Sequence, residues 1–262
     1  KTERANTLIA FVEMDGVSPQ RHAFDPSDHQ GLGEGNVISE KDGLSWSEDL
    51  GMIFIGIKAQ QDELEDWPEE GLPLADVNIW HWADDRIQAA QQRQASQDQD
   101  RTYIAVVHLE DQRLVHLADE SIRSIEITRD GRWGIGQDET DYVSDWKPDL
   151  ADYYRVDTDT GDRAQFLEGH LRTLGLSPNG EHFLYWKDGD VWDYVIGANQ
   201  HQNLTASAPV DFTNNEYDRF GEKPPYGLAG WSDDGESVLL YGRYDLWLQP
   251  LDGGTARVLP GG

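Results

Sequence analysis

Short apolar runs separated by turn-forming clusters set the rhythm of this chain. Met52 to Ile57, Trp133 to Gly136, Phe183 to Trp186 and Val238 to Tyr241 are rich in β-branched and aromatic residues and bounded by turn chemistry, the pattern of strands. A related tetrapeptide precedes each run: Ser47-Glu48-Asp49-Leu50 with Gly51 after it, Thr128-Arg129-Asp130-Gly131, Ser177-Pro178-Asn179-Gly180 and Ser232-Asp233-Asp234-Gly235. A small hydroxyl residue, a turn-forming middle and a glycine that tolerates positive φ specify a tight hairpin. A second pairing follows in every unit. Tyr103 to Leu109 turns at Asp111 into Leu114 to Leu117, and Asp152 to Val156 turns into Phe166-Leu167. Asp190 to Ile196 leads to Asn203-Leu204-Thr205, and Asp245 to Leu251 turns through Asp252-Gly253-Gly254 into Ala256 to Leu259. Each unit therefore reads as two hairpins, or four strands.

The turn glycines at 131, 180 and 235 stand 49 and 55 residues apart. Such a period, with four antiparallel strands per repeat, is what a propeller blade requires. The expected fold is all-β: a β-propeller of four-stranded antiparallel blades, over 43–120, 121–169, 170–207 and 208–262, with a β-sandwich or an open solenoid as the alternatives. Leu8 to Val12 and His22 to Phe24 read as strands of a preceding blade remnant, 1–42. Four units and a remnant fall short of the roughly seven or eight blades of larger propellers. The chain thus reads as a partial propeller of four to five blades, with open edges that favour a homo-oligomer.

The first interval, Gly51 to Gly131, is 80 residues, so about 30 extra residues lie between the second and third strands of that blade, across 58–101. They open on an acidic stretch from Asp62 to Glu70 and continue through Ile79-Trp80-His81-Trp82 to Asp84-Asp85. From there to Asp100 neither Gly nor Pro occurs, so a helix is expected, capped by Asp84 or Asp85. Its apolar face, Ile87, Ala90 and Ala95, is thin, which places it on the surface or at an interface rather than in a core.

The Ser-x-Asp-Gly turn, the Asp245-Leu246-Trp247 strand and the Leu251-Asp252-Gly253-Gly254 ending resemble Tol-type and prolyl oligopeptidase propeller repeats. The segment Ile79 to Asp85, with Ile87-Gln88 and Gln91, resembles an insertion in large bacterial prolyl oligopeptidase-like serine peptidases, from about Gly43 onward. That resemblance implies a propeller that gates or binds peptide substrates for a C-terminal α/β-hydrolase domain, in a periplasmic or secreted, soluble parent. It also implies that Trp80, Trp82, Asp84 and Asp85 are candidate substrate-binding residues, the paired carboxylates holding a peptide's free amino group. A helix cap is the alternative for Asp84 and Asp85. The alternative at the level of the whole chain is a stand-alone Tol-type propeller that scaffolds a protein partner.

The sequence carries no catalytic residues of its own. A nucleophile elbow needs G-x-S-x-G, and Gly175-Leu176-Ser177-Pro178-Asn179, Gly230-Trp231-Ser232-Asp233-Asp234 and Gly43-Leu44-Ser45-Trp46-Ser47 all lack the last glycine. Propeller glycosidases or lyases would need acids converging on a central channel, and none can be placed.

With no cysteine, disulfide frameworks and thiolate sites are excluded. No apolar run is long enough to span a bilayer. The net charge of −29 repels nucleic acid. Asp outnumbers Glu 32 to 18 and Arg outnumbers Lys 15 to 6. That excess fits a surface adapted to high salt, an ordinary acidic surface, or a cation or basic-ligand site. No cofactor is expected. The one metal candidate is Asp157, Asp159 and Asp162, which resembles the start of an oxygen-ligand calcium loop and equally fits a hairpin turn. His108 and His116 flank one hairpin and could face each other, too few for a zinc site. Trp80, Trp82, Trp133, Trp186, Trp192, Trp231 and Trp247 are expected to pack between blades.

Overall fold

The computed structural model describes residues 6–14, 19–26, 30–60, 77 and 79–259. The acidic stretch from Asp62 to Glu70 lies outside them. The chain forms a partial β-propeller of four antiparallel sheets, preceded by a two-stranded hairpin of β1 (Leu8–Val12) and β2 (Gln20–Phe24). Blade I comprises β3 (Asn36–Ile38), β4 (Ser45–Trp46), β5 (Met52–Ala59), β6 (Tyr103–His108) and β7 (Leu114–His116). Blade II comprises β8 (Ser124–Ile127), β9 (Trp133–Asp138), β10 (Ala151–Asp157) and β11 (Arg163–His170). Blade III is β12 (Thr173–Leu176), β13 (His182–Lys187), β14 (Asp190–Val195) and β15 (Gln200–Asn203). Blade IV is β16 (Leu228–Trp231), β17 (Ser237–Tyr241), β18 (Leu246–Pro250) and β19 (Arg257–Val258). In blades II to IV every strand pairs with its neighbour in sequence, and in blade I β3 and β4 both pair with β5, so each blade is a meander.

One boundary differs from the sequence reading. Blade I begins at Asn36, not at 43, because β3 and β4 both pair with the same edge of β5. The first strand of this blade is broken in two by the excursion through Asp42. Gly56 makes room for it: a Cβ there would sit 2.3 Å from that of Asp42.

The core is divided between sheets rather than gathered in one centre. Ile53, Ile55 and Ile57 of β5 pack with Leu8, Ala10 and Phe24 of the hairpin. Phe54, on the opposite face of the same strand, packs with Ile122 and Val156 towards blade II. Ile135 and Tyr153 then meet Phe183 and Tyr194 of blade III, and Leu184 and Trp186 meet Val238 and Leu240 of blade IV. Residues alternate across a strand, so a sheet covered on both faces needs apolar side chains at odd and even positions alike. That is why these strands read as continuous apolar runs.

The repeated turn explains how the blades stack. In each, the hydroxyl of Ser47, Thr128, Ser177 or Ser232 donates to the carboxylate or amide oxygen two residues on, at 2.6 Å in all four. The same hydroxyl accepts the N–H five residues on, at 2.9–3.0 Å. Position four takes a left-handed conformation: Gly131, Gly180 and Gly235 have φ of 76°, 76° and 74°, and Leu50 fills that place in blade I with φ 59°. Gly51 is not the turn glycine. These glycines also nest against the preceding blade's turn. A Cβ on Gly131 would lie 3.0 Å from Ser47, one on Gly180 2.9 Å from Thr128, and one on Gly235 2.8 Å from Asn179. The four turns therefore line up on one face.

Candidate functional site

A meander alternates its connections, so fixing one turn fixes the rest. The nested turns and the links between third and fourth strands lie on one face of the arc. The links between second and third strands, and those from blade to blade, lie on the other. The second face holds the long segments: the described part of the insert between β5 and β6, the loop at 139–150 and the connection at 204–227. Among the described residues it also holds the most exposed aromatic side chains. Trp80 and Trp82 of the insert are 65% and 85% exposed, Trp146 of the 139–150 loop 85% and Tyr244 between β17 and β18 80%, and Phe220 of the 204–227 connection is fully exposed.

Two of these correct an expectation. Trp186 is fully buried, and Trp133, Trp192, Trp231 and Trp247 pack at blade interfaces as expected. Trp80 and Trp82 do not. They belong to a polar insert and cover no blade.

Helix α1 (Gln88–Asp100) follows them and buries none of its residues, as its thin apolar face implies. Ile87 is its N-cap and makes no side-chain cap, so neither Asp84 nor Asp85 plays that part. A carboxylate from blade II does instead: Asp145 Oδ2 accepts the Ile87 N–H at 2.6 Å. At the far end the Lys58 ammonium of β5 donates to the Gln99 carbonyl at 2.8 Å. A cation there and an anion at the first turn both complement the helix dipole.

Asp84 is occupied locally. Its carboxylate accepts the His81 N–H at 2.8 Å and the Gln91 amide at 3.3 Å. The His81 bond, more than any other influence, lowers its pKa. Asp84 and Asp85 lie together on one wall of a cleft of about 880 Å³, with Gln91; Arg123, Gln137 and Glu139 of blade II form the opposite wall. Trp80 and Trp82 stand on the insert outside the cleft lining.

Of the calcium candidate, Asp157 serves a hairpin with its carboxylate. Asp157 Oδ1 accepts the N–H groups of Asp159 and Thr160 at 2.8 and 3.2 Å, and Gly161 closes the turn with φ 79°. Asp159 is held by Arg113, 2.6 Å from its Nη2; that bond is the main cause lowering its pKa. Among the described residues no three His, Asp or Glu converge as metal ligands. Nor do the two histidines of the first blade meet. His108 Nε2 lies 3.2 Å from the Thr158 carbonyl and His116 Nε2 2.7 Å from that of Gly31.

No family model matches the sequence, and no curated protein matches it. Solved structures do. The chain is similar to a protein described as a TolB from Agrobacterium tumefaciens, at 12% identity and TM-score 0.38, over 100% of this chain and 71% of that one. It is similar to dipeptidyl peptidase 4 of Porphyromonas gingivalis at 11% identity and TM-score 0.41, over 83% of this chain but 30% of that one. It is also similar to an acylaminoacyl peptidase from Pyrococcus horikoshii at 12% and 0.38, over 98% and 37%. The chain thus spans well under half of either peptidase. Its own sheets and nested turns define the propeller independently. Among the described residues, no helix is long and apolar enough to cross a membrane.

Proposed function

We propose that this chain is a non-catalytic, polypeptide-binding propeller domain that works through its long-loop face. One observation carries the reading: the most exposed aromatic side chains of the four blades stand on the face that also holds the cleft beside Asp85. Aromatic residues, Trp above all, concentrate at binding surfaces because they desolvate large areas at little cost in side-chain entropy. In the form that the sequence resemblance suggests, the domain gates or binds peptides for a serine peptidase's hydrolase domain, with Asp85 placed to meet an ammonium group. Asp84, engaged in its own turn, shapes the wall. A Tol-type scaffold for a folded protein is the second reading, favoured by the spread of Trp82, Trp146, Phe220 and Tyr244 over several blades.

Tryptophan fluorescence and calorimetry with short proline-containing peptides, amino-free and acetylated, test both. Binding of the free peptides without turnover, weakened several-fold by acetylation or by Asp85→Asn, supports the peptide reading. Turnover by this chain would overturn the non-catalytic assignment. Absence of binding by any short peptide, with a folded partner still held through Trp82 and Trp146, would replace the peptidase reading with the scaffold.

A further inference from the structure

The interface between blades III and IV carries a buried charge. Asp193 of β14 is fully buried; its Oδ2 lies 2.7 Å from His182 Nδ1 of β13 and accepts the Gln202 amide of β15 at 2.8 Å. The same amide nitrogen donates to the Leu251 carbonyl of blade IV at 2.6 Å. Asp193 stands opposite Leu184 on one side and Gln202 on the other, and Leu184 packs with Val238 and Leu240 of blade IV. Asp193 therefore occupies the face of blade III that blade IV covers. Its Oδ1 has no hydrogen-bond donor among the described residues. A buried carboxylate in such surroundings is costly once its counter-charge is gone.

We propose that the His182–Asp193 pair makes the seating of blade IV on blade III depend on pH, firm while His182 is protonated and loosened when it is not. Three charged groups act on His182: Asp193 across the sheet, Glu181 beside it in the chain, and Glu236 from the turn of blade IV. Burial disfavours the imidazolium, but the Asp193 bond and the two further carboxylates outweigh it and raise the pKa above its ordinary 6.5. The folded state thus binds this proton more tightly than the unfolded state. Its contribution to stability is complete below pH 6.5 and is lost as pH rises through the raised value. Above that value Asp193 faces a neutral ring and loses the cation that it shares with Glu236. Because Glu236 and Leu251 both belong to blade IV, the loss falls on the contact between the two sheets.

An NMR titration of the His182 ring, assigned with His182→Gln, reads the pair directly; amide exchange corrected for intrinsic rates reads its consequence. The expected result is titration above 6.5 in the wild type and clearly lower in Asp193→Asn, where burial is left as the strongest influence. Between pH 6 and 8.5, protection in β17 and β18 should fall several-fold more than in β9 and β10. In His182→Gln that difference should vanish. Titration of His182 at or below 6.5, or an equal loss of protection in blades II and IV, would overturn the proposal. The wild-type exchange readout stands even if the variants fail to fold.

Discussion

The Ile87 N–H donates to Asp145 across 58 residues of sequence, at 2.6 Å, tying the start of the inserted helix to the neighbouring blade. The bond does the work of an N-cap from a distance. Together with Lys58 at the other end it holds α1 across blades I and II and so forms one wall of the cleft.

Asp145→Ala should therefore loosen the insert without unfolding the blades. Such caps contribute about 0.5–2 kcal/mol, and α1 buries no side chain that could compensate. Limited trypsin digestion should cut faster after Arg86 and Arg93 in the variant, with the thermal midpoint of the whole domain nearly unchanged. An equivalent acceleration in Asp84→Ala, with none in Asp145→Ala, would restore the local cap.

The repeated turns predict opposite signs at equivalent places. Gly180→Ala puts a Cβ at φ 76° and 2.9 Å from Thr128, and should cost about 1–3 kcal/mol from left-handed strain and crowding. Leu50→Gly relieves a left-handed leucine at the matching position and should gain about 0.5–1 kcal/mol. Chemical denaturation of the two variants measures both. Gly197→Ala, where a new Cβ meets nothing, serves as the neutral control.

How much of this was legible in the sequence follows from where each signal lives. The Ser-x-Asp-Gly turn is local, so its four variants and the apolar runs after them make the four-stranded antiparallel blades legible. The start of blade I was misplaced because Asn36–Ile38 carries no turn motif and is split from Ser45–Trp46 by the bend at Asp42. The spacing of Asp84 and Asp85 before the helix suggests a cap that the structure gives to Asp145, since local spacing shows nothing of a carboxylate 58 residues away. Of the two sequence readings of Trp80 and Trp82, packing between blades and substrate binding, their exposure overturns the first: the other tryptophans sit on strands that neighbouring sheets cover, and composition alone does not separate the two groups. Asp193 gave no signal among so many acidic residues.

Acid should weaken the contact between blades II and III. Burial is the main cause holding the His170 and His201 rings below their usual pKa of 6.5, and the Tyr185 hydroxyl lies 2.9 Å from His201 Nδ1. The folded state thus favours the neutral rings, so their stabilisation is present above pH 6.5 and is lost as pH falls below it. The unfolding midpoint of the wild type should drop between pH 6.5 and 5. In His201→Phe it should start lower, through loss of the tyrosine bond, and fall less steeply.

A separate acid response belongs to Asp119. Burial opposes its ionisation, but bonds from the Ser121 hydroxyl, from the Ile122 and Ser121 N–H groups and the charge of Arg163 bring its pKa down to about 2. This stabilisation is present above the ordinary carboxylate value of 3.8 and is lost only as pH falls towards 2. Asp119→Asn should lower the midpoint at pH 7 and leave a shallower loss between pH 4 and 2.

The nesting of successive turns distinguishes a propeller arc from any two-sheet sandwich, and nuclear Overhauser contacts read it most directly. The structure predicts cross-peaks from Gly131 Hα to the Met52 methyl, from Gly180 Hα to the Thr128 methyl and from Gly235 Hα to the Asn179 β-protons, since Cβ atoms built on these glycines lie within 3.4 Å of those groups. All three together would establish blades stacked in sequence with a common orientation. Cross-peaks confined within each sheet, or joining turns of non-successive blades, would contradict it.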